Sequence, residues 1–192
     1  MAVSVRKQRI AAACLARLRH VHPRDIRMID VAKASNSSNA LVALHFGTLE
    51  NLLVESCLTA FEDIATRLTA ELTARWPTGD ATPRMTYGEA AVLVTGLEEW
   101  EWRLAGYAVP RLSDQTQSDR FTYILQTVLG RIARRTGMLD ELDGADLLFL
   151  LDLFGSYFAH AARLIGTNAL TRAELERRLV RLASFIRAEP AP

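Results

Sequence analysis

DVAKASNSSNALVALHFGTLE, residues 30–50, reads as a short helix, a polar turn and a second short helix that runs into a Phe-Gly-Thr break. Ile26, Ile29 and Val31-Ala32 give the first helix, of about two turns, an apolar side. Ser35-Asn36-Ser37-Ser38 is a run of side chains that compete with backbone hydrogen bonds, so the helix stops there. Asn36 can take the left-handed conformation that a tight turn between helices needs, and Ser38 is placed to cap the helix that follows. Two short helices joined by a three- or four-residue turn form a helix-turn-helix, a unit whose second helix enters the DNA major groove and brings its N-terminal residues to base edges. Asn39, Ala40, Leu41, Ala43 and Leu44 would lie on or near that second helix.

The charge around this stretch agrees with a phosphate partner. Residues 1–50 hold eight basic side chains (Arg6, Lys7, Arg9, Arg17, Arg19, Arg24, Arg27 and Lys33) against Asp25, Asp30 and Glu50, a balance of +5. The whole chain is only +1, so the remainder carries −4. A basic head on an acidic body suits DNA binding through one end of the molecule, whereas evenly scattered charge would suit any neutral globular protein.

Read from Ile10 to Glu50, the sequence resembles the N-terminal domain of the tetracycline-repressor (TetR) family of bacterial one-component regulators. There an apolar helix precedes I-A-x-x-A-G-V-S-x-x-x-[LIV]-Y-x-H-F-x-[ST]-K-E. Val31-Ala32 fill the I-A pair, Ser38 the capping Ser, Val42 the aliphatic position, His45-Phe46 the H-F pair, Thr48 the next cap and Glu50 the acidic residue, without a gap. Asn36 stands where Gly is usual, Ala43 replaces a Tyr that touches phosphate, Leu49 a phosphate-binding Lys, Arg27 a capping Thr, and His22-Pro23 a Gly-aromatic turn. The resemblance implies an all-α protein: a three-helix helix-turn-helix DNA-binding domain over residues 1–50, and a helical effector-binding and dimerisation domain over residues 51–192. It adds Arg27, Ser38, His45 and Thr48 to the DNA-binding residues. It also implies a homodimer on palindromic double-stranded operator DNA, a small-molecule effector and no cofactor.

Beyond the head, Leu49, Leu52-Leu53, Ser56-Cys57, Ala60-Phe61, Ile64 and Leu68 recur at intervals of three and four, the period of one long amphipathic helix from Thr48 to about Arg75. Pro77 and Pro83 bracket a loop. Tyr87 to Ala108 reads as a single helix with Leu93, Leu97, Trp100, Leu104 and Tyr107 along one face, ended by Pro110. Ser113 to Ser118 reads as an exposed loop, and Arg120 to Thr136 as a helix capped by Gly137. From Asp146 to Ile165 the pattern is apolar nearly all round, and Thr171 is placed to cap a closing helix.

These last helices offer two surfaces. Leu148, Leu151, Gly155, Ala159 and Ala162 fall at helical spacing with small members that permit close approach, and Leu175, Leu179 and Leu182 form a seam. Two such helices from each of two subunits would make a four-helix interface; alternatively both faces complete the core of one chain. The aromatic supply between residues 100 and 160 suggests an effector pocket, with Trp100, Leu104, Tyr107, Phe121, Ile124, Phe149 and Leu153 as its candidate lining, although each ring also suits plain core. The scarcity of charge there favours an apolar or aromatic effector.

Catalysis finds no support. Glu98, Glu99 and Glu101 cluster, but adjacent helix positions diverge and no His or Cys is spaced to pair with them. There is no Gly-rich phosphate loop, no Gly-x-Ser-x-Gly elbow and no Cys/His spacing for zinc; Cys14 and Cys57 read as reduced core residues, and His160 as a core or interface residue. No apolar run reaches membrane-span length and no signal peptide is evident, so the expected address is the cytoplasm. The competing non-enzymatic reading is a helical dimer that binds a ligand or partner and has lost DNA reading, which Ala43 and Leu49 would permit.

Overall fold

The computed structural model describes residues 2–77, 84–112, 114–137, 153, 156–157, 160–165 and 169–186, with side chains from residue 5 to residue 181. Among these residues every regular element is helical. Helix α1 (Ala2–Leu18) buries Ile10, Cys14 and Leu18, one face at intervals of four. A 3-10 turn at Pro23–Asp25 follows, with Pro23 at its start, where a missing N–H costs nothing. Helix α2 (Met28–Ala34) then leads through the polar turn to α3 (Asn39–Phe46).

The turn is closed by backbone hydrogen bonds and flanked by a side-chain cap. Ser37 N–H donates to Ala32 O at 2.8 Å and Asn36 N–H to Lys33 O at 3.2 Å, the paired bonds of a Schellman cap. Asn36 is the left-handed residue this cap requires, with φ 50°. Ser38 Oγ accepts from Leu41 N–H at 3.1 Å and so starts α3. Gly47, at φ 72°, ends it, and Thr48 Oγ1 accepts from Asn51 N–H at 3.1 Å to start the next helix.

That helix, α4 (Leu49–Arg75), runs 27 residues, about 40 Å, and is the spine shared by head and body. It packs chiefly on α1 and on α7 (Gln115–Thr136). A division of the chain at residue 50 falls within its first turn.

The single helix expected over Tyr87 to Ala108 is instead two, α5 (Tyr87–Thr95) and α6 (Glu99–Ala108). Gly96 closes α5, and Glu101 reaches back to take the Glu98 N–H at 2.7 Å, starting α6. Part of the acidic cluster is therefore a capping device. The loop expected up to Ser118 is also corrected: Asp114 Oδ1 accepts from Gln117 N–H at 2.8 Å, so Gln115–Ser118 form the first turn of α7. Gly137 ends α7 at φ 80° as expected.

Residues 153, 156–157 and 160–165 are helical and are here called α8, and α9 (Arg172–Ile186) is capped by Thr171, whose Oγ1 accepts from Glu174 N–H at 3.2 Å. Helix α6 approaches α8 so closely that a Cβ on Gly106 would stand 2.8 Å from Ala162 O. The buried apolar side chains form one continuous cluster from Ile10 in the head to Leu175 in α9. Residues 78–83, Ser113 and the start of the apolar stretch at Asp146 lie outside the described residues.

Candidate functional site

Helix α3 is fixed from below and open above. Val42 and Phe46, one turn apart, are buried and hold it to the head; Lys7 Nζ sits 5.4 Å from the Phe46 ring centroid. Ser38, Asn39 and Ala40 are exposed at its N-terminal end, and Leu44 is 78% exposed. Leu41, Ala43 and His45 are half-buried on the flanks. His45 Nε2 is buried with no hydrogen-bond partner among the described residues. Thr48 is exposed as the α4 cap, and Arg27 is exposed at the N-cap of α2. Arg6, Lys7, Arg9, Arg24 and Lys33 are also exposed, while Arg17 is drawn toward Asp30 at 3.8 Å. The arrangement offers two polar side chains and one large apolar side chain on a rigid helix within a cationic head. Leu49, at the position of a phosphate-binding Lys in the family pattern, is half-buried against the core.

Among the described residues, three arginines tie the head to α6 and the turn after it, in addition to the shared apolar core. The Arg19 guanidinium stacks 5.2 Å from the Trp100 ring, whose Nε1 donates to Glu98 Oε2 at 2.9 Å. Arg103 donates to the carbonyls of Leu18 and Arg19 at 3.4 and 3.3 Å, near the C-terminus of α1, where a cation is favoured. Arg111 pairs with Glu50 at 3.2 Å and lies 4.3 Å over the Tyr107 ring. Burial pushes the Tyr107 hydroxyl above its usual value, opposed by the Arg111 charge.

The body holds a partly open cavity of about 160 Å³. Its wall is drawn from Phe61 and Ile64 of α4, Ala90 and Val94 of α5, Ala105 of α6, Phe121, Ile124 and Val128 of α7, and Leu175 and Leu179 of α9, with Tyr87 and Tyr157 also on it. Phe61 and Phe121 meet edge to face at 5.6 Å. Glu101 is the one charged residue on the described wall. It is 3% exposed, and its Oε1 lies 2.6 Å from Arg67 Nη2.

Of the residues proposed from sequence as effector lining, Phe121 and Ile124 stand on this wall. Leu104 is fully buried away from it, Leu153 is 45% exposed, and Trp100 and Tyr107 face the head. Phe149 lies outside the described residues. The difference is one of helix phase. Trp100, Leu104 and Tyr107 share a stripe on α6, while Glu101 and Ala105 lie about 100° around the same helix and turn to the cavity. The α7 stripe at 121, 124, 128 and 132 carried a readable signal; Glu101 was hidden among the other acids.

The proposed dimer residues divide likewise. Ala162 is fully buried beneath α6, Leu175 is 1% exposed, and Leu179 is half-buried; the two leucines are on the cavity wall. The surface of Ala162 and Leu175 is buried inside one chain. Leu148, Leu151, Gly155 and Ala159, and the Leu182 side chain, lie outside the described residues. Solvent instead meets Ser156, His160 and Arg163, and on α9 Ala173, Arg177 and Val180. His160, expected in a core or interface, is exposed in this chain with Nδ1 3.1 Å from Arg163 Nη2.

Cys14 and Cys57 are free and buried. Burial pushes the Cys14 thiol up to about 11 against a Ser56 hydrogen bond and the Arg17 charge, and Cys57 is raised by burial as well. Both stay protonated near neutrality and are poor nucleophiles. No group of three His, Cys, Asp or Glu side chains among the described residues could hold a metal, and no single described helix is long and apolar enough to cross a membrane.

No protein-family model and no curated protein matches the sequence. Solved structures do match the fold. A TetR-family transcriptional regulator from Streptomyces coelicolor superposes with a TM-score of 0.66 at 20% identity, over 98% of this chain and 82% of that one. A protein assigned to the same family from Mesorhizobium loti gives 0.63 at 18% identity over 98% of both chains. The fatty acid degradation regulator FadR from Bacillus halodurans gives 0.56 at 10% identity over 96% of this chain and 99% of that one. The chain thus has the all-helical fold of TetR-family regulators over nearly its full length.

Proposed function

We propose that this protein is a cytoplasmic, ligand-responsive transcriptional regulator, a repressor that binds palindromic operator DNA as a homodimer and is released by a small apolar or aromatic effector. The observation that carries the reading is α3: capped at both ends, seated on Val42 and Phe46, and exposing Asn39, Ala40 and Leu44 from a head of net charge +5. Asn39 is suited to a base edge and Leu44 or Leu41 to a thymine methyl, with the surrounding cations on phosphates. We assign the dimer contact to the outer faces of the last two helices, because their described inner faces are occupied within the chain; light scattering is expected to give twice the mass of one chain.

Release follows as a population shift. An effector in the cavity touches α4, α5, α6 and α7 together, and α6 and α4 also carry the arginine contacts to the head. A ligand that favours one arrangement of these helices changes the spacing of two readers, and ligand and DNA then weaken each other by the same factor. Leu49, half-buried where the family pattern has a phosphate-binding Lys, favours the second reading, a helical dimer without DNA binding; the basic head opposes it. A gel shift on the DNA flanking the protein's own gene separates the two. A discrete complex that survives excess random DNA is expected, and equal binding to both DNAs would overturn the regulator reading.

A further inference from the structure

The cavity wall specifies more than an apolar occupant. Its single described charge, Glu101, has both oxygens committed: Oε1 faces Arg67 at 2.6 Å and Oε2 accepts the Glu98 N–H at 2.7 Å. The Glu101 charge is therefore already offset by Arg67, so an incoming ammonium meets a paired carboxylate and an incoming carboxylate must compete with Glu101 for the guanidinium. The stretch 136–162, which supplies Tyr157 and Ala161 to the wall, contains no Lys or Arg. An anionic ligand would thus enter beside a buried carboxylate with no spare cation on the described wall, at a desolvation cost nothing offsets. Size narrows the class further. A dry apolar cavity of about 150 Å³ holds one benzene, and this one is about 160 Å³.

We propose that the cavity takes a compact, uncharged molecule about the size of one substituted ring, and that the Glu101–Arg67 pair is the specificity-determining element that excludes carboxylates and amines. This names the effector class for the regulator reading above and rests on that reading's effector site. The measurement needs no DNA, however, so a protein that failed to bind operator would still answer it.

Calorimetric titration of the full chain at neutral pH with toluene, benzoate and benzylammonium tests the proposal on three solutes of one shape. Saturable 1:1 binding of toluene is expected, with both ions at least about 100-fold weaker. Benzoate or benzylammonium binding as tightly as toluene would overturn it, and so would no binding by any of the three. Glu101→Gln supplies the positive arm, since Gln can still accept the Glu98 N–H while Arg67 is released. In that variant benzoate is expected to gain at least about tenfold relative to toluene; an unchanged ratio removes the role of the pair. Should the variant fail to fold, the ranking of the three solutes on the unaltered protein decides alone.

Discussion

Helix α3 in the head is held at its ends and leaves its flank to solvent; the helices of the body turn their flanks inward and leave an apolar hole between them. Ser38, Gly47 and Thr48 fix where α3 begins and ends, so Asn39 and Leu44 can stand free without losing position. The cavity has no such local anchors. Phe61, Val94, Phe121, Tyr157 and Leu175 come from five segments spread over more than a hundred residues, and they meet only when every helix is in place. A surface reader thus depends on nearest neighbours in sequence and a cavity on the whole fold, so the two regions should answer differently to the same perturbation.

Salt should separate them most strongly. The head presents Arg6, Lys7, Arg9, Arg24, Arg27 and Lys33 to solvent, and a dimer doubles that set. Each phosphate neutralised releases counterions, so operator affinity should fall by about 10³-fold or more between roughly 50 and 200 mM salt. Affinity for a neutral solute in the apolar cavity should hardly move. Gel shift and calorimetry across one salt series give both slopes; a flat DNA slope would strip the head of its phosphate role.

Base reading is the next effect in size. Asn39→Ala combined with Leu41→Ala removes a base-edge hydrogen bond and an apolar contact from α3 while leaving the exposed cations untouched. Discrimination between operator and random DNA should shrink by about 1–3 kcal/mol, with nonspecific binding nearly unchanged. Equal losses on both DNAs would show that these side chains position the helix and read nothing. Leu44, the most exposed residue of α3, is the informative third substitution if discrimination persists.

The same contrast explains what the amino-acid pattern could and could not disclose. The turn at Ser35–Ser38, the caps at Ser38, Thr48 and Thr171 and the stop at Gly137 are local: each cap is one side-chain oxygen meeting an N–H three residues on, and Asn36 and Gly137 themselves take the positive φ their stops need. The break at Gly96 is not legible because an apolar period runs through it, and in sequence Glu101 is one acid among several although it is both a cap and a buried ion-pair partner. Aromatic content says nothing about helix phase, so it does not place Trp100 and Tyr107 on either side of α6. Only the packing of α6 between head and body decides which side faces which. Ala162 and Leu175 carried the same ambiguity, since a stripe that fits another subunit fits the chain's own helices equally well.

The smallest effect is the sharpest comparison, because it makes one chemical change in both regions. Ser38 caps α3 and Thr86 caps α5, each accepting the N–H three residues on, at 3.1 and 3.2 Å. Ser38→Ala and Thr86→Ala should each cost about 1 kcal/mol of stability, read from denaturant midpoints. Only Ser38→Ala should also weaken operator discrimination, because the turn it frays is the one that carries Asn39. The pH dependence should differ as well. Glu89 accepts the Thr86 N–H and hydroxyl, and these bonds hold its carboxyl below the usual range. A group lowered in the folded state stabilises it above its unfolded pKa and loses that contribution as the pH falls through the folded value. Acidification should therefore narrow the stability gap between Thr86→Ala and the unaltered protein, while the gap for Ser38→Ala, whose cap holds no carboxyl, should stay constant. If both gaps narrow together, acid is loosening the fold as a whole and the two caps are not independent.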